Sequence, residues 1–275
     1  MVRRMVKGMF SVLRTRVVEG SKSYFIFLNL LLTLERKMPF LRERIHSFMI
    51  RRKRIPFIIR NDVGSFLVYP NDDTIRMSSE LFDSHLHGWL DQEEPDTLVD
   101  VGGAIGLYSI LAVNKKGYKR SLVFEPNPMA YKVLKTNVRL NSSENMIEAH
   151  NQGISDSDKS MHFFLDKFNT EGSRIIEDEE IKDYEMSDLI TIRTEKLDKI
   201  LTKEHKRIST IKIDVGGHEL SVIKGMKTVL KRLGKGARIF LSISEDNEDE
   251  IKGILESRGF SEIERIDSDR LYEKR

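Results

Sequence analysis

Seven residues, Asp100-Val101-Gly102-Gly103-Ala104-Ile105-Gly106, stand between an apolar run and a helical one. Small side chains let such a backbone turn tightly and approach a ligand, and a helix opening there offers free N–H groups. The spacing is D-x-G-x-x-x-G and not the dinucleotide G-x-G-x-x-G, because position 104 is Ala and position 107 is Leu. Glu125 lies 19 residues after Gly106, at the end of the next apolar run. A carboxylate there can accept both hydroxyls of a ribose. Pro126-Asn127-Pro128 then turns the chain straight into a helix, and Asn151-Gln152-Gly153-Ile154-Ser155-Asp156 offers polar groups to border a nucleobase. A fourth group, Ile211 to Leu220, ends an apolar strand on Asp214 and passes through Gly216 and Gly217 to His218 and Glu219. Asp214 is a candidate for orienting a reacting group. His218, of a type that titrates near about 6.5, is a candidate base. A first-turn histidine without chemical duty is the competing reading of His218, and favourable placement on the helix dipole is that of Glu219.

Regular elements must hold these four groups together. Strand, helix and strand are predicted in turn at 97–100, 105–114, 121–124, 128–141 and 146–149, and this alternation implies a parallel sheet with helices on both faces. It resumes with a strand at 210–215, a helix at 219–233, a strand at 237–243, a helix at 248–258 and a last strand near 260–266. Between them, 156–198 reads as an insertion or lid with strands at 161–165 and 189–193. Ahead of the alternation, Phe57–Ile59 and Phe66–Tyr69 flank Asn61, Asp62 and Gly64 as a hairpin closed by a turn at Pro70–Asp73, and 78–90 reads as a helix.

The 275 residues include no cysteine, which excludes disulfides, thiolate metal centres and cysteine nucleophiles and suits a reducing compartment. No metal-ligand cluster is evident. Residues 1–60 hold fifteen Lys and Arg against three Glu, whereas the remainder holds 31 against 40 acidic residues. The chain is therefore read as a basic front of amphipathic helices, 1–56, on an acidic domain, 57–275. Amphipathic helices are expected over 1–20 and 39–54, the second with Phe40, Leu41, Ile45, Phe48 and Met49 on one face and arginines on the other. Such a front can lie on an anionic membrane through residues 1–54, contact nucleic acid, or pack on its own domain. The run Tyr24–Leu34 is shorter than the roughly 20 residues a bilayer span needs. A cytoplasmic location, peripheral at a membrane surface, is the expectation.

Taken in order, these motifs resemble the FkbM-type S-adenosylmethionine-dependent methyltransferases, mostly O-methyltransferases of sugars and natural products, from about Phe66 to Ile266. Asp100–Gly106 is similar to that family's D-V-G-A-N-x-G, Glu125–Pro128 to F-E-P-N-P, and Asn137 with Leu140-Asn141 to N-x-x-L-N. Gly153–Asp156 resembles A-L-S-D, Leu197-Asp198 T-L-D, and Ile211–Glu219 I-K-I-D-V-E-G-x-E. The resemblance implies a class I Rossmann-like α/β fold after the basic helical segment, with S-adenosyl-L-methionine as cofactor. It implies cofactor contacts from Asp100, Gly102, Gly103, Ala104, Gly106, Glu125, Pro126, Gly153, Ile154 and Asp214, catalytic duty for Asp214, His218 and Glu219, and a sugar, glycan or other small-molecule acceptor. RNA methylation using the basic front and non-catalytic cofactor binding are the alternatives; no N-P-P-[FY] motif of amino-methylating enzymes is present. Four positions depart from the pattern: Gly103-Ala104 replaces Ala-Asn, Gly216 replaces Glu, and Ser242 stands where a late-strand Glu is usual.

Overall fold

The first strands come from the basic front and the hairpin behind it. In the computed structural model, which describes residues 16–19, 56–69, 84–166, 172–201, 207–243 and 245–275, Arg16–Glu19 forms strand β1. It pairs antiparallel with β2 (Phe57–Arg60), which pairs with β3 (Ser65–Val68). The Asn61 side chain closes the hairpin by accepting from the N–H groups of Val63 and Gly64. Residues 16–19 therefore do not belong to the helix expected over 1–20: paired with β2, their backbone groups gain a ladder partner. The helix expected over 39–54, the rest of that over 1–20, the turn at 70–73 and residues 78–83 lie outside the described residues.

The alternation then follows the apolar runs. Helix α1 (Ser84–Trp89) precedes β4 (Thr97–Val101), α2 (Leu107–Lys115), β5 (Arg120–Phe124), α3 (Pro128–Leu140) and β6 (Ile147–His150). Helix α2 starts two residues later than its pattern suggests, because Ala104 and Gly106 sit in the left-handed region at φ 46° and 88°. The insertion is a second sheet of order β7-β10-β8-β9, made of β7 (Gly153–Ile154), β8 (Ser160–Phe164), β9 (Arg174–Ile176) and β10 (Leu189–Glu195). After the short α4 (Leu197–Ile200) come β11 (Ile208–Ile213), α5 (Glu219–Lys224) and α6 (Lys227–Arg232). One helix was expected over 219–233. It breaks at Gly225, where a Cβ would stand 2.0 Å from the Ser155 carbonyl oxygen, so the backbone itself packs there. The chain ends through β12 (Arg238–Ser242), α7 (Glu248–Glu256), β13 (Phe260–Ile266) and β14 (Asp269–Lys274). The sequence pattern had not marked β14, which returns across the two-residue turn Asp267-Ser268 with Asp267 at φ 52°.

The main sheet has the order β13-β14-β12-β11-β4-β5-β6, with β14 antiparallel to both neighbours. The chain runs from β4 outward through β5 to β6, then crosses to the other side of β4 to lay down β11 and β12. That reversal between β4 and β11 is the topological switch point, where ligands bind beyond the carboxyl ends of the strands. Alternation along β4 divides the core: Leu98 joins Phe66, Trp89, Leu134 and Phe240 on one face, and Val99 and Val101 join Phe124, Ile213, Val222 and Ile251 on the other. Among the described residues no helix is long and apolar enough to cross a membrane.

Candidate functional site

A cavity of about 350 Å³ opens at the switch point. Its floor is the β4–α2 loop, one wall is the end of β5 with Glu125 and Pro126, and the opposite wall is Asp214, Val215 and Gly216 beyond β11. Gln152, Gly153 and Ile154 border it, and Phe163, Ser173 and Ile175 of the insertion cover it.

The loop owes its path to its glycines. Gly102 has φ 78°, and a Cβ on it would lie 1.9 Å from the Asp214 backbone oxygen; one on Gly103 would lie 2.0 Å from the Val123 side chain. Both N–H groups donate to the Phe124 carbonyl, so the loop is folded down onto the end of β5. Ala104 has no such freedom, and its φ of 46° is a left-handed strain that an L-residue adopts at a cost of about 1–2 kcal/mol. Its N–H donates to Glu125 Oε2 at 2.8 Å, and Glu125 Oε1 accepts from Asn127 N at 2.7 Å. Burial pushes the Glu125 carboxyl up to about 7, against these two N–H groups that favour its charged form. Each oxygen keeps lone pairs for further donors.

Of the residues expected to hold a cofactor, Gly102, Gly103, Ala104, Glu125, Pro126, Gly153, Ile154 and Asp214 line this one cavity, and Asp100 and Gly106 do not. Asp100 is wholly buried beneath the loop. Its Oδ2 accepts from the Ser109 hydroxyl at 2.8 Å, and Ser109 accepts from Ser121 at 2.9 Å. Gly106 precedes α2 as its left-handed cap.

The three expected catalytic residues separate. Asp214 lines the cavity with its side chain half-exposed. His218 does not line it: the ring is buried, and Nε2 shares a 2.9 Å hydrogen bond with the Ser155 hydroxyl. Burial holds its pKa below the ordinary value. Glu219 also lies off the cavity. Its carboxylate accepts from the N–H groups of Val215 at 2.9 Å and Gly217 at 3.1 Å, so it ties down the turn that presents Asp214. Burial raises its pKa. Gly216 lines the cavity at φ 68°, a conformation that disfavours the glutamate of the family pattern. Ser242 lines it too.

Residues that motif reading missed complete the enclosure. Lys212, only 2% exposed, lines the cavity from β11, and Tyr108 lines it from α2. A lysine flanked by Ile211 and Ile213 was the available signal, since a charge inside a buried strand needs a partner. Phe163 and Ile175, ordinary strand residues of an irregular insertion, and Ser173, just ahead of β9, gave none.

The cavity's chemistry suits S-adenosyl-L-methionine: Phe124, Ile154, Phe163 and Ile175 make apolar walls for a base, and Glu125 offers acceptors for ribose hydroxyls. The chain is similar to several methyltransferases. A methyltransferase, sdnD, from Sordaria araneosa is 24% identical over 74% of this chain and 89% of its own length. The hexuronic acid methyltransferase AglP of Haloferax volcanii is 26% identical over 64% of this chain and 69% of its own length. A crystal structure of an FkbM methyltransferase from Methylobacillus flagellatus aligns at 21% identity and a TM-score of 0.45, over 65% of this chain and 43% of that one. The methyltransferase FkbM domain model matches residues 100–273, which spans every part of the cavity, and the chain belongs to that family of methyltransferases.

Proposed function

We propose that the cavity binds S-adenosyl-L-methionine and that the protein transfers its methyl group to a hydroxyl oxygen of a sugar, glycan or other small-molecule acceptor. The observation that carries this reading is the convergence of the glycine loop, Glu125, the 152–154 turn and Asp214 on one cavity at the switch point. The sulfonium of the donor, when bound, supplies an activated methyl group and a neutral thioether leaving group. The protein's task is alignment and proton management. Glu125 holds the ribose hydroxyls, and Phe124 and Ile154 bound the base. Phe163, Ser173 and Ile175 keep water from the reacting atoms. Asp214, at the mouth, orients the acceptor hydroxyl and takes its proton on a carboxylate oxygen. Glu219 serves through Asp214, by fixing its turn. Similarity to a hexuronic acid methyltransferase supports a glycan acceptor. The charge balance of residues 1–60 supports contact with an anionic membrane surface, a contact that would bring the enzyme near lipid-linked acceptors.

Calorimetry with S-adenosylhomocysteine tests the donor, and transfer of a radiolabelled methyl group to a panel of sugars, glycans and RNA tests the acceptor. Binding together with label on a saccharide hydroxyl is expected, and Asp214→Ala lowers that turnover by about 10²–10⁴-fold. Absence of binding at millimolar ligand, or label found on RNA alone, overturns the reading.

A further inference from the structure

Lys212 carries a buried charge that the reading above does not use. It lies directly opposite Asp100 in the parallel register of β11 and β4, so both side chains emerge on the same face of the sheet. Its Nζ donates to the Gly102 carbonyl at 2.8 Å and stands 3.4 Å from Asp100 Oδ1 and 3.8 Å from Asp214 Oδ2. The Tyr108 ring, itself a wall of the cavity, lies 5.3 Å beneath the ammonium. One cation therefore touches the floor of the cavity through Gly102, its buried support through Asp100 and its mouth through Asp214.

Packing alone does not call for a lysine here. A buried ammonium is costly unless paired, and an apolar side chain would fill the same space among Tyr108, Phe240 and the strand ends. Burial works against the charged amine, yet Asp100 and then Asp214 outweigh it and hold the pKa above the ordinary lysine value. The loop, meanwhile, needs a restraint. Gly102, Ala104 and Gly106 all sit at positive φ, and the Gly102 and Gly103 N–H groups anchor the loop on the β5 side. On the β11 side, Lys212 supplies the matching anchor through the Gly102 carbonyl.

We propose that Lys212 is a positioning residue for the methyl-donor site, its ammonium tethering the glycine loop to β11 and setting the loop against Asp214. The inference rests on the reading that this cavity takes the donor. It separates Lys212 from a merely structural charge, which would affect melting but not the affinity of the folded protein.

The test compares Asp100→Asn with the double variant Asp100→Asn/Lys212→Met, by calorimetric affinity for S-adenosylhomocysteine and by thermal melting. Neutralising Asp100 removes the penalty of an unpaired buried carboxylate, so the double variant should melt cooperatively near the temperature of Asp100→Asn. Its affinity is expected to fall about tenfold or more below that reference, the scale of a lost charged hydrogen bond. Affinity within about twofold of the reference would overturn the proposal. Lys212→Arg gives a second reading if the double variant does not fold. It keeps a cation beside Asp100, but its planar fork does not reproduce the compact ammonium bridging Gly102 and Asp214. A comparable loss is expected from it, and undiminished affinity would count against the tether. If the wild-type protein itself fails to bind, the donor reading falls first and this inference with it; if the wild type binds and the variants bind equally well, the tether falls and the donor reading stands.

Discussion

Glu125 is the residue at which pH should speak most directly. Burial raises its carboxyl from an ordinary 4.5 to about 7, so the folded protein holds a proton there that the unfolded chain has released. The contribution of this group to stability is therefore complete below about 4.5 and is lost as pH rises through about 7. Donor binding runs the other way, because ribose hydroxyls donate most strongly to the ionised carboxylate. Affinity for S-adenosylhomocysteine should climb as pH rises through about 7, and Glu125→Gln should bind more weakly with a flattened profile. A wild-type profile that is flat between pH about 6 and 8 would remove Glu125 from the donor site. His218 makes a complementary case. Held below its ordinary pKa by burial, it stays neutral when folded, so the stability it provides is present above about 6.5 and is lost on acidification. With its ring turned to Ser155, His218→Ala should cost about 1–3 kcal/mol of stability, because the buried Ser155 hydroxyl keeps only its long 3.4 Å bond to Asp156 Oδ1, while donor affinity stays within about twofold. A large drop in affinity or turnover without loss of stability would return His218 to the chemistry.

The elements that carry these residues are joined by side chains whose importance sequence spacing only hinted at. Asn137 on α3, wholly buried, accepts from Leu67 N of β3 at 2.7 Å and donates to the Ile105 carbonyl of the glycine loop at 2.9 Å. Asn141, one turn on, exchanges hydrogen bonds with both backbone groups of Ser65 and does not touch the loop. The two asparagines thus dock the same hairpin, but only Asn137 connects it to the cavity. Asn137→Leu should lower stability by about 2–4 kcal/mol, with two backbone groups left unpaired, and should also weaken S-adenosylhomocysteine binding. Asn141→Leu should destabilise comparably and leave affinity unchanged, a contrast that melting and calorimetry measure side by side. This is also where sequence reading reached its limit. The 3.6 and 2 periodicities were enough to place β4 through β6 and the strand–loop–helix turns at Asp100 and Asp214, because local burial decides them. They did not reveal the break at Gly225, set by the Ser155 backbone some 70 residues away in the chain, or the turning of His218 toward that same residue. Nor did they reveal that Asp100 supports the loop from below while Glu125 faces the cavity, since both are acids at strand ends.

At the scale of the whole chain, charge is distributed as unevenly as function. The family match begins at Asp100, and the described residues that line the cavity run from Val101 to Ser242, so none of them is among the fifteen basic residues of the first sixty. Strand β1 nevertheless ties part of that front to the hairpin through β2, and through Asn137 the hairpin reaches the glycine loop. Deleting the front would therefore strip an edge from a sheet as well as remove charge, and charge substitution is the cleaner probe. Replacing Arg42, Arg44, Arg51, Arg52, Lys53 and Arg54 with glutamine removes six positive charges and changes no residue of β1 or of the described cavity lining. If the front lies on anionic lipid, the wild-type protein co-sediments with vesicles containing phosphatidylserine, and the variant loses about 1 kcal/mol of binding for each residue that sat near the surface. Raising the salt from about 0.1 M to 1 M should abolish the wild-type signal, because the Debye length shrinks from about 10 Å to 3 Å. Equal sedimentation of the two proteins, or binding indifferent to salt, would rule out an electrostatic membrane contact. Binding to RNA lost by the same variant, with no vesicle binding, would show that the phosphates it seeks belong to nucleic acid. The affinity for S-adenosylhomocysteine should be identical in both proteins, since every described residue that lines the proposed donor cavity lies in the acidic body.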